Sequence, residues 1–470
     1  MTAPPALATP PTNRRSVFGR MDPARLLPVA WPVYIELMSG VIAGIITVVW
    51  IARLGAPALA AVTMAGSLEN VLLSIALTVS GGATIVLSRA VGASEYGRIR
   101  PQLRASFRIT ALITVVTVVV LFVARRPLAE LVLGTEDAEG VRLAVDYLTV
   151  SVPGVALFYG QYLVDATFKA DGNTRTPMRM ALLSNAFLIV LDPVLIYGWL
   201  GAPRLGVRGS AIALVLARAV TLAVTYWLYR RSGLLRKADE AAAAAPAAPE
   251  PVEGEPGPAR EILKAGMPLG VDFLVRMTAG ALIVGVIARF GTDEVAAYGT
   301  VTRTLLVLTM AAYAVRQAGT IIAARARGAE DDELLAASRS SSVRLGIGWS
   351  VLGGLVVLLL SGFVVDAVTD DAAVRSAAHG QIPWISVYIT LLLCNVTLSG
   401  IFMGGGQGKV AATSATVGAV LQLCLAPLLA MTPLGLDGAW IAMIINAGTQ
   451  TSVLLVLSAR QILKTKEAAA

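Results

Sequence analysis

The chain has 470 residues, 56% of them hydrophobic and only 14% charged, whereas a soluble globular protein carries about 25% charged residues. That much apolar surface does not fit inside one core, which argues against a soluble domain and makes a lipid bilayer the expected solvent. The net charge of +8 is no footprint of nucleic acid, because basic residues beside membrane spans also set orientation. Cys394 and Cys424 both lie in apolar runs and make neither a disulfide framework nor a metal spacing.

Residues 1–28 are rich in Pro, Ala and Arg, with no apolar run ending in a cleavage site. They read as a cytoplasmic tail and not as a removable signal peptide. A spanning helix needs about 20 apolar residues, and twelve segments qualify: 29–50, 59–86, 106–124, 143–167, 178–200, 207–229, 265–288, 295–323, 345–367, 377–403, 410–431 and 437–459. Helices are required because lipid offers no partner to an open backbone, and the alternation of barrel strands is absent. Lys and Arg concentrate on the side of the two termini, which predicts that both are cytoplasmic. Trp31, Trp50, Trp199, Trp227 and Trp440 fall near predicted span ends, as interfacial anchors do.

The expected fold is an all-α integral membrane protein of twelve transmembrane helices in two six-helix bundles, residues 29–231 and 262–460. Between them, 232–261 includes the Pro-rich, acidic stretch "ADEAAAAAPAAPEPVEGEPGPA" and reads as a flexible cytoplasmic linker. Residues 461–470 form a second cytoplasmic tail. The bundles are an internal repeat. "WPVYIELMSGVIAGIITVVWIARLG" from Trp31 aligns without a gap on "MPLGVDFLVRMTAGALIVGVIARFG" from Met267, pairing Pro32 with Pro268 and Glu36 with Asp272. The same register pairs Thr84 with Thr320, Arg89 with Arg325 and Gly92 with Gly328. Six spans per copy make a parallel repeat, related by a pseudo-two-fold along the membrane normal, with a substrate cavity between bundles that rock against each other.

Asp192 lies in the run "NAFLIVLDPVLIY", directly before Pro193. The repeat gives Pro193 a counterpart, Pro427, but gives Asp192 none, since Ala426 stands there. A charge at bilayer depth is worth about 2.5–3.5 kcal/mol against insertion, so this acid is expected to face the bundle interior. Burial disfavours an ionised carboxylate, the property needed of a proton carrier. Pro193 cannot bond the carbonyl of Ile189 and disfavours helical geometry at Asp192. Asn185 lies two turns back on the same face. Two readings stay open, an ion-coupling acid and an acid satisfied structurally.

The other intramembrane charges are candidates for the cavity. Asp272 has Arg276 one turn on, the spacing of a neutralised pair. Glu36 has no partner nearby in sequence, and Glu69 lies in span two. Arg303 and Arg316 in span eight are placed to pair with acids across the cavity. Tyr159, Gln161 and Tyr162 in span four, Tyr313 and Gln317 in span eight and Asn395 in span ten are candidate contacts for an organic ligand, or packing between helices. His379 falls in a predicted outer loop and reads as surface. The acidic run at 330–333 reads as a solvated face, so an enzyme using diphosphate chemistry is not expected.

Together these segments resemble a known family. "IARLGAPALAAVTMAGS" after span one resembles the "VGRLG…ALAA" signature of multidrug and toxic compound extrusion (MATE) transporters. "DGNTRTPM" resembles their "GxGDTRTP" loop, "SNAFLIVLDPVLIYG" their "NxxLNxxLDPxLIFG" span, and "LGVRGSAIA" their "GVxGAAxAT" opening of span six. The match runs over about residues 29 to 460 and points to the DinF-like branch. The resemblance implies secondary active efflux of organic, often cationic, compounds, driven by Na⁺ or H⁺, with no resident cofactor or metal. It places the family's span-five Asp on Asp192 and its span-six hydroxyl on Ser210. The family's span-one Asp falls on Thr47 and an expected Asn on Leu188, and its span-seven acid falls near Arg276. With those oxygens missing, Asp192, Asn185, Ser210 and Thr47 make a poor cage for Na⁺ and a sufficient site for H⁺. The expected partners are lipid and a small organic substrate, with the chain a monomer in the bacterial cytoplasmic membrane. The alternative is a flippase for lipid-linked oligosaccharide or cell-wall precursor, which Arg276, Arg303 and Arg316 keep open.

Overall fold

The computed structural model describes residues 26–244 and 257–469, and among them fourteen α-helices but no strand. The N-terminal lobe contains α1 (Leu27–Ala52), α2 (Ala56–Gly92), α3 (Ile99–Leu133), α4 (Ala138–Ser151), α5 (Val155–Ala170), α6 (Arg175–Tyr197) and α7 (Val207–Arg230). A short helix, α8 (Gly233–Ala244), follows. The C-terminal lobe contains α9 (Pro258–Ile287), α10 (Thr292–Gly328), α11 (Asp332–Val368), α12 (Ala372–Gly404), α13 (Gly408–Ala430) and α14 (Leu436–Ala469).

Eleven helices are long and apolar enough to cross a membrane, and α4 with α5 makes a twelfth span bent by 48°. The sequence predicted that segment, 143–167, as a single span. The break falls at Val152-Pro153-Gly154, where proline has no N–H to donate and glycine disfavours helix. Pro193, by contrast, lies inside α6 without ending it, and Asp192 keeps helical geometry. Several helices outrun the bilayer: the 37 residues of α2 rise about 55 Å at 1.5 Å per residue. Leu112, Val115, Val116, Val119, Val120 and Val123 of α3 are exposed, the pattern of a face meant for lipid.

Three expectations change. The stretch 232–261 is not wholly a tether, because α8 occupies its start and docks Leu234, Leu235 and Ala238 against Leu103 and Tyr229. Arg100 on α3 bonds Asp239 of α8 at 2.7 and 2.8 Å, and this bond holds the Asp239 carboxyl below the usual range. The middle of that stretch, 245–256, lies outside the described residues, as do residues 1–25 of the first tail. Trp440 is no interfacial anchor: it is 1% exposed and packs in the C-terminal core against Tyr298. His379 lies within α12 and not in a loop, paired with Asp366 at 3.1 Å.

The lobes touch along α2, α9, α10 and the start of α1, at the membrane side that carries the start of α1. A β-carbon on Gly82 would collide with the Ile262 carbonyl, and one on Gly266 with the Thr78 carbonyl. The repeat pair Gly92 and Gly328 is reciprocal: the first rests on the Arg325 backbone, the second on the Arg89 backbone. Leu26 and Ala30 pack with Ala318 and Ile322. At the other end of the same helices, Gly66, Gly280, Gly285 and Gly299 have nothing within 4 Å of where a β-carbon would stand. The two lobes are therefore sealed on the side of the α1 start and splayed on the opposite side.

Candidate functional site

Asp192 is fully buried. Three helices converge on it. Gly209 lies so close to the Leu195 carbonyl that any side chain would collide, and this contact of α7 with α6 brings Ser210 beside the carboxylate. From α1, the Thr47 hydroxyl donates to Asp192 Oδ2 at 2.6 Å. Oδ1 completes no hydrogen bond, and no lysine, arginine or histidine pairs with Asp192 among the described residues. Thr47, Asp192 and Ser210 are thus brought together as the sequence reading grouped them. Asn185 is not part of this set. Its amide donates to Ser39 Oγ at 2.8 Å, and the Ser39 hydroxyl donates to the Glu36 carbonyl. Seven residues are about 10 Å along a helix, so a shared face did not mean a shared depth.

A second polar cluster fills the N-terminal lobe nearer the seal. Glu36 is paired with Lys169 of α5 at 2.7 Å. Two turns back on α5, Gln161 donates to Asp165 at 3.0 Å and to Thr225 of α7 at 3.1 Å. Glu69 meets Arg218 at 3.2 Å, and that guanidinium lies over Phe158, on which Tyr162 also packs. Asp165, Lys169 and Arg218 were not among the sequence candidates. The spacing Gln161, Asp165, Lys169, four residues apart each time, was the available signal: one polar stripe on an otherwise apolar helix. Tyr159 moves the other way. It is buried against Leu72, Ala76 and Val155 inside the lobe, so it packs helices and does not line the cleft.

In the C-terminal lobe Asp272 is also fully buried, but it is locked. Arg276 holds Oδ1 at 3.0 Å and Arg316 of α10 lies 2.7 Å from Oδ2. Arg276 also donates to Asn395 at 2.6 Å and to Gln450 at 3.2 Å. Gln450, Asn446 and Gln422 continue this network between α14 and α13. Arg316 lies over the Tyr313 ring at 5.7 Å. Gln317, half-buried beside it, forms no hydrogen bond among the described residues. The side chain of Arg303 lies outside those described. This cluster sits directly beyond the seal, since Gly270, which abuts Thr78 and Ser74 of α2, is two residues from Asp272.

A family model described as MatE matches residues 32–194 and 268–428, one segment in each lobe. The chain belongs to the MatE family. It resembles the curated Probable multidrug resistance protein NorM of Thermotoga maritima, 24% identical over 426 residues covering 89% of this chain and 88% of that protein. It resembles equally a FAD transporter of Shewanella oneidensis, 24% identical over 88% of each chain. Among solved structures, a MOP superfamily transporter from Pyrococcus furiosus superposes with a TM-score of 0.83 at 20% identity, covering 95% of this chain and 97% of the other. An outward-facing multidrug resistance MATE transporter superposes at 0.82, also at 20% identity, covering 95% and 98%. These likenesses establish the two-lobe, twelve-span MatE fold. As a MatE protein the chain belongs to a family of membrane-embedded transporters, not enzymes, whose curated relatives include multidrug resistance proteins.

Proposed function

We propose that this MatE protein exports organic, cationic or amphipathic compounds by antiport against protons, with Asp192 as the coupling carboxylate. The observation that carries this is the contrast between two fully buried acids: Asp272 is held by two arginines, whereas Asp192 accepts from Thr47 and has no cation paired with it among the described residues. A buried carboxylate without a cation favours the neutral form, and Oδ1 is the oxygen left to take the proton. Sodium needs several oxygens around it. One carboxylate, Thr47 and Ser210 provide few, and Asn185 is engaged elsewhere. Proton coupling is the better match.

With cytoplasmic termini the splayed side of the lobes faces outward. In that state Asp192 takes a proton from outside and loses its charge. Substrate leaves, and the neutral lobe rocks to face the cytoplasm, where the proton is released and new substrate enters. One charge moving through 100 mV is worth about 2.3 kcal/mol, enough to sustain a gradient of about forty-fold for a neutral compound. The surplus of arginine in the C-terminal lobe favours one second reading, a flippase gripping a lipid diphosphate.

Dye transport into proteoliposomes, with H⁺ and Na⁺ gradients imposed separately, tests the main reading. The wild type should respond to the proton gradient alone, and Asp192→Asn should lose that response. Equal transport by the two proteins under every gradient refutes the role of Asp192. Movement of a lipid-linked precursor without dye transport selects the flippase.

A further inference from the structure

The described charges of the two intramembrane clusters do not balance, and the imbalance has opposite sign in the two lobes. The N-terminal cluster carries four carboxylates, Glu36, Glu69, Asp165 and Asp192, against Lys169 and Arg218. The C-terminal cluster carries Arg276 and Arg316 against Asp272 alone. Its donors also outnumber its acceptors. A guanidinium has five N–H groups, yet Arg316 has only Asp272 as a polar partner among the described residues. The amide nitrogen of Asn395, 1% exposed, has no acceptor among the described residues. Arg276, its own donors directed to Asp272, Asn395 and Gln450, holds the cluster in place.

Excess positive charge with unused, buried N–H donors is the complement of an oxyanion, and arginine is the side chain suited to grip one with paired hydrogen bonds. The position suits a ligand: α9 and α10, which carry Asp272, Arg276 and Arg316, are the helices this lobe packs against α2, and the cluster lies at a depth just past the Gly270 contact. We propose that Arg316, positioned by Asp272 and assisted by Asn395, binds an anionic oxygen group of the transported compound. The favoured substrates are then amphoteric, with the anionic end held by the C-terminal lobe and the cationic end by the acidic N-terminal lobe. This rests on the export reading and narrows its substrate class.

Rhodamine B and its ethyl ester, which share a cationic ring system and differ in one carboxylate charge, are the probes. Fluorescence anisotropy on the purified full-length transporter should show the acid binding about tenfold tighter than the ester, the weight of one charge-assisted hydrogen bond. Arg316→Gln should remove that difference by weakening the acid alone. Asp272 keeps Arg276 in this variant, so the fold is preserved, and ester binding reports that directly. Arg316→Lys, which keeps the charge without the fork, should restore part of the preference. Equal affinity of the wild type for acid and ester, or equal weakening of both by Arg316→Gln, overturns the proposal while leaving export intact. Binding of neither dye overturns both. Displacement of rhodamine B by millimolar inorganic phosphate supports oxyanion recognition. Displacement by farnesyl diphosphate but not by phosphate assigns the site to a lipid headgroup and overturns the soluble substrate.

Discussion

At the scale of single residues, the two fully buried acids should answer mutation in opposite ways. Asp192→Asn removes a charge that has no counter-ion among the described residues and leaves the Thr47 hydroxyl an amide oxygen to donate to. Asp272→Asn strands two buried guanidinium groups, and breaking a buried pair in this way destabilises by about 3–5 kcal/mol. Thermal unfolding in detergent should therefore show Asp192→Asn melting at or above the wild-type temperature, and Asp272→Asn melting well below it. A large loss of stability in Asp192→Asn would mean that its ionised form is structurally required, against a coupling role. The sequence distinguished these acids in part. The repeat left Asp192 unmatched, and the spacing of Asp272 and Arg276 predicted their pair. The second arginine, Arg316, comes from another helix, and one chain read alone gives no register between helices. The same blindness hid the bond between Glu36 and Lys169 and misplaced Asn185.

At the scale of helices, hydropathy located all twelve spans, because each needs a long apolar run whatever it packs against. It did not locate what depends on neighbours: the bend at Pro153, the docking of α8, or the burial of Trp440. Helix contacts were legible only through glycine. Gly92 and Gly328 align in the repeat, and the structure gives both the same task, letting α2 and α10 cross backbone to backbone at the seal. Gly92→Ala or Gly328→Ala places a methyl against a carbonyl that has no room for it. Either variant should widen the seal. Spin-label distances between α2 and α10 on that side should lengthen and broaden relative to wild type, and the two variants should behave alike. Unchanged distances would show that the helices absorb the methyl without parting.

At the scale of the whole molecule, the pseudo-two-fold is kept where the lobes must close and abandoned where they must differ. The charged interiors are unlike, acidic in one lobe and basic in the other, which is why the repeat was readable in the frame and not in the site. The seal retains the symmetry down to its arginines. Arg325 of α10 reaches across to the Ala170 carbonyl at the end of α5, through Nη2 at 2.6 Å and Nε at 3.2 Å. Its repeat partner Arg89 reaches the other way, to the Gly404 carbonyl at the end of α12, at 3.5 Å. Each places a cation on the negative end of a helix in the opposite lobe, where cations are stabilising. The contacts exist only while the lobes are closed on this side, so they favour that state over its alternative. A hydrogen bond from a charged donor is worth about 1.5–3 kcal/mol, and about 1.4 kcal/mol is tenfold in population. Arg325→Ala should thus shift the equilibrium toward opening at the seal by about tenfold or more, seen as faster labelling of a cysteine introduced there. The longer, single contact of Arg89 predicts a smaller shift for Arg89→Ala. Equal labelling rates in wild type and Arg325→Ala would mean that the glycine contacts alone hold the lobes shut.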